Sequence, residues 1–255
     1  MKMHAEKIID AHVHPFIERE NCFAPFGSPE TLDEFIQELK RCGIAMVCGS
    51  IIQRGPVDFA GIRRLNRTAL AIRDRFPDFY VPGIHIHGAY PEESCRELEE
   101  MHRQGVRWVG ELADYLLQTG ACNSPGMFPI YETVRGLGMT VNIHCSDLAA
   151  VEDVLKNFPG MKLVLAHPEE PRDAKRRFEL ISRYPDAYID LAGTGLFRWN
   201  MLRYAVDRCG SEKILFGSDF PICSPGMNLG GVFSEHLTQA EWENILHKNF
   251  ERLQN

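Results

Sequence analysis

Short apolar runs alternate along the chain with longer segments in which apolar residues recur every three or four positions. The short runs are typical of buried β-strands, and the longer segments are typical of amphipathic α-helices. The pattern predicts eight strands, at residues 7–14, 45–52, 79–87, 106–113, 139–145, 162–167, 187–192 and 213–219. It also predicts eight helices, at residues 31–42, 59–76, 91–104, 128–137, 149–158, 172–184, 199–209 and 239–253.

Local signals support several of these boundaries. Thr31 and Glu34 have the spacing of a capping box, and Gly43 follows the end of the same helix. Three longer connections, at residues 15–30, 114–127 and 220–238, each follow a strand. We therefore expect these loops to rise over the end of the sheet where the strands finish.

Alternating strands and helices predict an α/β protein with a parallel sheet and helices outside it. Eight such units in 255 residues favour closure into a (β/α)₈ TIM barrel, whose typical length is about 250 residues. The alternative, an open Rossmann sheet, lacks the Gly-x-Gly-x-x-Gly run in its first strand–helix turn. We expect one domain spanning residues 1–255.

Charge and composition limit the kinds of molecule that the protein is expected to bind. The net charge is −7 with no basic stripe, which argues against nucleic acid and anionic membranes as partners. Residues 1–6 precede no apolar stretch of the kind found in a signal peptide, and no apolar run approaches the ~20 residues that span a bilayer. Eight cysteines without a Cys-x-x-Cys pair favour reduced thiols in a cytoplasmic protein over a disulfide framework.

Four predicted strands end in side chains that commonly bind metals. His12 and His14 end the first strand, and the others are His144, His167 and Asp219. Because side chains alternate along a strand, each of these groups is expected to face the barrel axis while apolar neighbours face the helices. Those neighbours are Ala11 and Val13, Val141 and Ile143, Val164 and Ala166, and Ile214 and Phe216.

The carboxyl ends of the strands are where (β/α)₈ barrels hold their active sites. Imidazole and carboxylate together suit Zn²⁺, and also Mn²⁺ or Fe²⁺. The spacing therefore predicts a metal-dependent enzyme that acts on a small-molecule substrate.

The same segments resemble the amidohydrolase superfamily, and the resemblance covers nearly the whole chain. They are Asp10-Ala11-His12-Val13-His14, Asn142-Ile143-His144, Leu165-Ala166-His167-Pro168 and Leu215-Phe216-Gly217-Ser218-Asp219-Phe220-Pro221. The last is most similar to the amidohydrolase-related branch that also contains aromatic and aminocarboxymuconate-type decarboxylases. The resemblance implies a distorted barrel that holds one or two divalent metals. It also implies that His12, His14, His144, His167 and Asp219 are ligands, with His167 contacting substrate where it does not bind metal.

Glu111 ends the fourth predicted strand. Superfamily members with two metals often bridge them through a carboxylate at this strand, so Glu111 is a candidate bridging ligand. The alternative is an ordinary ion pair with Arg107 or with an arginine from a loop.

The resemblance implies an enzyme in which Asp219 moves a proton and His167 polarises a carbonyl or phosphoryl oxygen. The leading hypothesis is hydrolysis of an amide, lactone or ester bond in a small polar substrate. The alternative enzyme is a metal-dependent decarboxylase. A catalytically silent metal-binding or ligand-binding barrel is a third hypothesis, and the intact Asp219 argues against it.

Other residues have two interpretations each. His85 and His87 are predicted to contact substrate or to orient a neighbouring residue, and Arg54 to bind an anionic substrate group or to lie in solvent. Three aromatic residues are candidates for pocket walls or for ordinary packing: Tyr115, Phe197 and Trp199. Residues 172–177 are predicted to form the solvent face of a helix, and His4 to lie at the surface. Exposed barrel helices are compatible with a homodimer.

Overall fold

The computed structural model describes residues 7–255, so the predictions for His4 and for the amino-terminal residues 1–6 lie outside it. Eight parallel strands form one sheet in the order β1 to β8. They are β1 (Ile9–Val13), β2 (Met46–Ser50), β3 (Tyr80–Ile84), β4 (Trp108–Leu112), β5 (Thr140–Ile143), β6 (Lys162–Leu165), β7 (Ala187–Asp190) and β8 (Ile214–Leu215). The Ala11 amide donates to Phe216 O at 2.9 Å, and Val13 bridges Phe220, so the last strand returns to the first. The predicted (β/α)₈ TIM barrel is confirmed.

Helices surround this barrel close to the predicted positions. They are α1 (Leu32–Arg41), α2 (Phe59–Arg75), α3 (Pro91–Arg103), α4 (Asp114–Leu117), α5 (Met127–Gly136), α6 (Leu148–Asn157), α7 (Pro171–Arg183), α8 (Met201–Cys209), α9 (Pro225–Ser234), α10 (Gln239–Glu243) and α11 (Asn249–Gln254). A π-helical turn, Asn244–Lys248, joins the last two. The predicted capping box of α1 is half formed, because Glu34 accepts from the Glu30 amide and not from the Thr31 amide.

Two connections that were predicted to be loops contain helices. The segment 114–127 includes α4, and the segment 220–238 includes α9. In α9 the Ser224 hydroxyl accepts from the Met227 amide and Pro225 occupies the first turn, which are both favourable at a helix start. The sequence analysis missed this helix because it contains several glycines. Glycine has a low helix propensity and is common in turns.

The barrel interior has its own apolar cluster, separate from the core between the sheet and the helices. Strand residues of this cluster pack against Phe250 and Leu253 of α11. The Trp108 and Phe250 rings lie 5.5 Å apart. The strand members are Ile9, Ala11, Cys48, Trp108, Val164 and Leu215. The final helix covers this cluster at the amino-terminal end of the strands. The carboxyl-terminal end is therefore the end that can hold an active site.

The simple alternation of side chains is wrong for Ala11 and Val164, which both join the interior cluster. The pairing of β1 with β2 shifts register between Asp10 and Val13, and such a bulge places successive side chains on one side. Strand β6 ends at Leu165, so the alternation does not extend from Val164 to His167. A second register shift, between Val109 and Leu112 of β4, lies beside Glu111.

Among residues 7–255, no helix combines the length and the apolarity that a bilayer crossing requires. This finding agrees with the absence of a long apolar run in the sequence.

We expect Phe250→Ala to lower the free energy of unfolding by about 3–5 kcal/mol, because it leaves a cavity beneath the barrel interior. Urea denaturation would measure the loss. The matched control is Phe26→Ala, since the Phe26 side chain is 98% exposed and its removal creates no cavity. Equal effects of the two substitutions would show that α11 does not support the barrel.

Candidate metal centre

His12 and His14 are buried at the end of β1 with their rings held in one orientation. The His12 Nδ1–H donates to Asp190 Oδ2 at 2.9 Å. The His14 Nδ1–H donates to the backbone oxygen of Ser50 at 3.0 Å. A carbonyl oxygen only accepts, and an ionised carboxylate only accepts, so both rings carry their proton on Nδ1. When the rings are neutral, each Nε2 therefore presents a lone pair.

These two lone pairs face each other. The Nε2 atoms of His12 and His14 are 3.2 Å apart. Asp219 Oδ1 lies 3.2 Å from His14 Nε2 and 4.0 Å from His12 Nε2. A tetrahedral ion with bonds of about 2.0–2.1 Å separates its ligand atoms by about 3.3 Å. The three groups consequently have the donor chemistry and the spacing that fit a divalent cation.

Glu111 joins this group to a second one. Its Oε2 lies 3.5 Å from His14 Nε2, and its Oε1 lies 3.6 Å from His12 Nε2 and 3.2 Å from His167 Nε2. Ligand atoms of His12, Glu111 and His167 fall within 4.8 Å of one another, as do those of His12, His14 and Asp219. Glu111 thus stands where a carboxylate could bridge two ions. Neither alternative partner expected for it, Arg107 or a loop arginine, contacts it among the described residues.

His144 stands at the edge of the centre. Its Nδ1 is 2.8 Å from Glu111 Oε1, and its Nε2 is 3.5 Å from Glu169 Oε1. Within residues 7–255 it belongs to neither of the two compact ligand groups. The structure therefore brings all six predicted ligands to one rim and sets His144 farthest from the paired histidines.

The surrounding carboxylates favour a positive charge at this rim. Burial alone lowers the pKa of His12, but the Asp190 and Glu111 carboxylates outweigh it and hold the pKa well above its usual value. Burial raises the pKa of Asp190, whereas the charge and hydrogen bond of His12 lower it to about 2. Burial acts on Glu111 in the same way, and its histidine partners bring its pKa well below the usual range. Both carboxylates are therefore ionised next to the imidazoles.

Unusual backbone conformations position two of the ligands. His167 has φ of 66° and Asp219 has φ of 64°, in the left-handed region that non-glycine residues rarely adopt. A conformation of this kind costs about 1–3 kcal/mol and is found most often at functional sites. Gly193 packs against the His167 ring, where a Cβ would come within 2.5 Å of His167 Nδ1.

The sequence analysis missed Asp190, which organises the centre from β7. Besides His12, it accepts from Asn142 Nδ2 at 3.0 Å and from the His167 amide at 3.2 Å. One carboxylate thereby connects two candidate ligands, His12 and His167, with Asn142 of β5. One sequence feature could have identified Asp190 as a site residue. It is a carboxylate near the end of the predicted strand 187–192, in the same type of position as Asp219.

The interpretation of residues 172–177 as a solvent face is wrong for Arg177, whose side chain is 1% exposed. Its guanidinium donates to Ala166 O at 2.8 Å and to Cys145 O at 3.0 Å, and Glu169 lies 3.6 Å away. The sequence analysis also missed Glu169. Helical spacing from Ala174 to Phe178 and Ile181 was the available signal that Arg177 lies on the buried face.

A cavity of about 640 Å³ opens beside the ligands, between the connection that follows β4 and the ends of β5 and β6. His144, His167 and Asp219 line it. Tyr115 lines it as well, with its ring 4.9 Å from that of His144. Phe197 and Trp199, the other aromatic candidates, are exposed and do not line this cavity.

The remaining predicted substrate contacts do not line this cavity. His85 is buried with its Nε2–H donating to Ile51 O at 2.7 Å, and burial lowers its pKa to about 4. His87 Nε2 lies 3.0 Å from Val57 O, and its Nδ1 accepts from the Ala89 amide. Arg54 is exposed, with its guanidinium 4.5 Å from the Phe23 ring centre. The two histidines therefore hold loop backbone, and the arginine faces solvent.

Comparisons with known proteins agree with the barrel fold. The chain matches the family model described as Amidohydrolase over residues 9–253. No curated protein matches it. It is similar to the structure of 2,6-dihydroxybenzoate decarboxylase from Rhizobium, with 15% identity, a TM-score of 0.76, and coverage of 98% of this chain and 99% of that chain.

Two further solved structures share the fold. One is 5-carboxyvanillate decarboxylase from Novosphingobium aromaticivorans with manganese, at 13% identity, a TM-score of 0.72, and coverage of 97% of this chain and 96% of that one. The other is described as a probable 2-pyrone-4,6-dicarboxylic acid hydrolase from Acinetobacter baumannii. It has 18% identity and a TM-score of 0.68, and the match covers 97% of this chain and 99% of that chain.

We expect Asp190→Asn to weaken Zn²⁺ binding by about 10–100-fold, because the His12 ring loses the carboxylate that fixes its tautomer. Competition with a chromogenic chelator would measure the dissociation constant. Asp173→Asn, on the exposed face of α7, is the control and should bind Zn²⁺ as the parent does. If Asp190→Asn keeps the parent affinity, Asp190 does not orient a ligand.

Proposed function

Because the chain belongs to the amidohydrolase family, we propose that it is a metal-dependent hydrolase that cleaves an amide, lactone or ester bond in a small polar substrate. The observation that supports this most is the convergence of the His12 and His14 lone pairs with Asp219 beside a cavity. A catalytically silent barrel has no need for a carboxylate at that position.

In this proposal His12, His14 and Asp219 hold a divalent ion, and Glu111 with His167 and His144 holds a second or completes the first. Zn²⁺ is the expected ion, with Mn²⁺ and Fe²⁺ as alternatives, since histidine and carboxylate ligands accept each of them. When bound, such an ion supplies water of lowered pKa and a Lewis acid for the substrate carbonyl.

Asp219 is the proposed general base and acid. Its carboxylate lines the cavity, and among the described residues its Oδ2 has the Cys223 thiol as a partner at the long distance of 4.0 Å. This oxygen is therefore open to accept a proton from the attacking water and to return it to the leaving group. Proton transfer of this kind contributes about 10²–10⁴-fold to the rate.

His167 is the proposed electrophilic partner. Its ring lines the cavity, and its Nε2 lies 3.2 Å from Glu111 Oε1. Where Nε2 does not bind the ion, its N–H can donate a hydrogen bond to the substrate oxygen that gains negative charge in the transition state. Asp190 holds the His167 backbone through the amide, so the ring is placed before substrate arrives.

The cavity wall favours a substrate that is neutral or positively charged away from the reacting bond. Its lining includes Asp114, Asp147 and Glu169, and within residues 7–255 it includes no lysine or arginine. Arg177 lies nearby, but its guanidinium is buried on backbone oxygens and Glu169. A remote substrate carboxylate would thus meet three like charges and no lysine or arginine.

A metal-dependent decarboxylase is the second candidate. The supporting observation is the similarity of the whole chain to decarboxylases of aromatic acids. A substrate carboxylate could there bind at the metal, and Asp219 would donate a proton to carbon as CO₂ leaves.

We also propose that residues 1–255 form one catalytic domain and that the protein works in the cytoplasm. Eight free cysteines support the reducing compartment. Small-molecule substrates are the proposed partners, without nucleic acid or membrane, and the exposed barrel helices are compatible with a homodimer.

We expect Zn²⁺-loaded protein to hydrolyse members of a panel of uncharged esters, lactones and amides, and a chelator to abolish the reaction. Asp219→Asn should lower turnover by at least about 10²-fold. Asp74→Asn, at an exposed position of α2, should leave turnover unchanged.

Incorporation of ¹⁸O from labelled water would establish hydrolysis. Release of CO₂ from aromatic acids without such incorporation would instead establish the decarboxylase. If metal-loaded protein does neither while it still binds metal, the barrel is a binding protein.

We expect an uncharged ester to be a better substrate than its analogue with a carboxylate remote from the reacting bond. The ratio of kcat/KM should exceed about tenfold, which corresponds to about 1.4 kcal/mol. Asp147→Asn should reduce this ratio, whereas Asp74→Asn, at an exposed position of α2, should not. A preference for the carboxylated analogue would contradict the assignment of substrate charge.

A further inference from the structure

Two cysteines meet at the wall of the cavity. Cys122 lies in the segment after α4, and Cys145 follows His144 after the end of β5. The Cys122 thiol donates to Cys145 Sγ at 3.7 Å. Both residues line the cavity. This contact joins two segments that are distant in the sequence, and the proposed hydrolysis uses neither thiol.

The two thiols differ in access. Cys145 is partly exposed at the cavity wall, whereas Cys122 is buried behind it. A small oxidant that enters the cavity therefore reaches Cys145 first. Cys122 Sγ is then already in contact with the oxidised sulfur of Cys145.

We propose that Cys122 and Cys145 are a redox modification site that a small hydroperoxide such as hydrogen peroxide converts to a disulfide. Cys145 attacks one peroxide oxygen, the O–O bond breaks, and the products are a sulfenic acid and one water. Cys122 Sγ then attacks that sulfur, the S–O bond breaks, and the oxygen leaves as a second water with the Cys122 proton. Two thiols are oxidised and one peroxide is reduced.

The step requires little movement. A disulfide brings its sulfur atoms to about 2.0 Å, so the two Sγ atoms, now 3.7 Å apart, must approach by roughly 1.7 Å. The bond would tie the segment around Cys122 to the strand end that carries His144. Because residues 119–123 line the cavity, the bond would restrict that wall.

Thiol titration of Zn²⁺-loaded full-length protein tests the proposal, because Zn²⁺ itself has no redox chemistry. One equivalent of hydrogen peroxide should lower the count from the eight free thiols to six, and dithiothreitol should restore all eight. Peptide mapping should find the segments containing Cys122 and Cys145 joined. Hydrogen exchange should show slower amide exchange over residues 118–126 in the oxidised protein.

Matched variants separate this pair from the other thiols. Cys122→Ser should keep all seven of its thiols as thiols or stop at a sulfenic acid on Cys145, with no cross-link. Cys42→Ser removes a thiol on another surface and should still lose two. If Cys122→Ser does not fold, Cys145→Ser provides the same comparison.

Joining of other cysteines at an equal rate would overturn the proposal. So would oxidation of Cys145 to the sulfinic acid while Cys122 stays reduced in the parent protein.

Discussion

The centre depends on two imidazoles whose lone pairs are held against each other. Asp190 and the Ser50 carbonyl each occupy one Nδ1–H, so His12 and His14 cannot turn their acceptor nitrogens into donors without gaining a charge. When both rings are neutral, two lone pairs at 3.2 Å repel unless a metal cation or a proton lies between them. A positive ion therefore stabilises this arrangement, and the nearby carboxylates of Asp219 and Glu111 attract it further.

The two ends of the barrel have different roles. The amino-terminal end stabilises the fold, and the carboxyl-terminal end holds the candidate metal ligands. At the amino-terminal end, apolar strand residues pack on Phe250 and Leu253. At the other end, the register shifts in β1 and β4 and the left-handed residues His167 and Asp219 leave regular strand geometry. A well-packed base allows the rim to keep these costly conformations, because the remaining structure holds them in place.

Much of the architecture was readable from the chain, and the exceptions share one cause. The eight strands, their order and the principal helices follow from hydrophobic periodicity, which is a local property. The same reasoning found the candidate ligands Asp219 and the four histidines, since each ends an apolar run. It failed at Ala11, because a bulge changes the alternation, and at α9, because tertiary packing compensates for glycines within the helix.

The sequence alone established which chemical groups stand at the strand ends, because strand periodicity and residue type are local. Only the tertiary structure decided how they are used. It placed Asp190 beneath His12, moved His85 and His87 onto backbone carbonyls, and buried Arg177 beneath the rim. Each of these roles depends on a partner from a distant segment, and hydrogen-bond geometry over such a separation is set by the packing of strands and helices, not by the residues themselves.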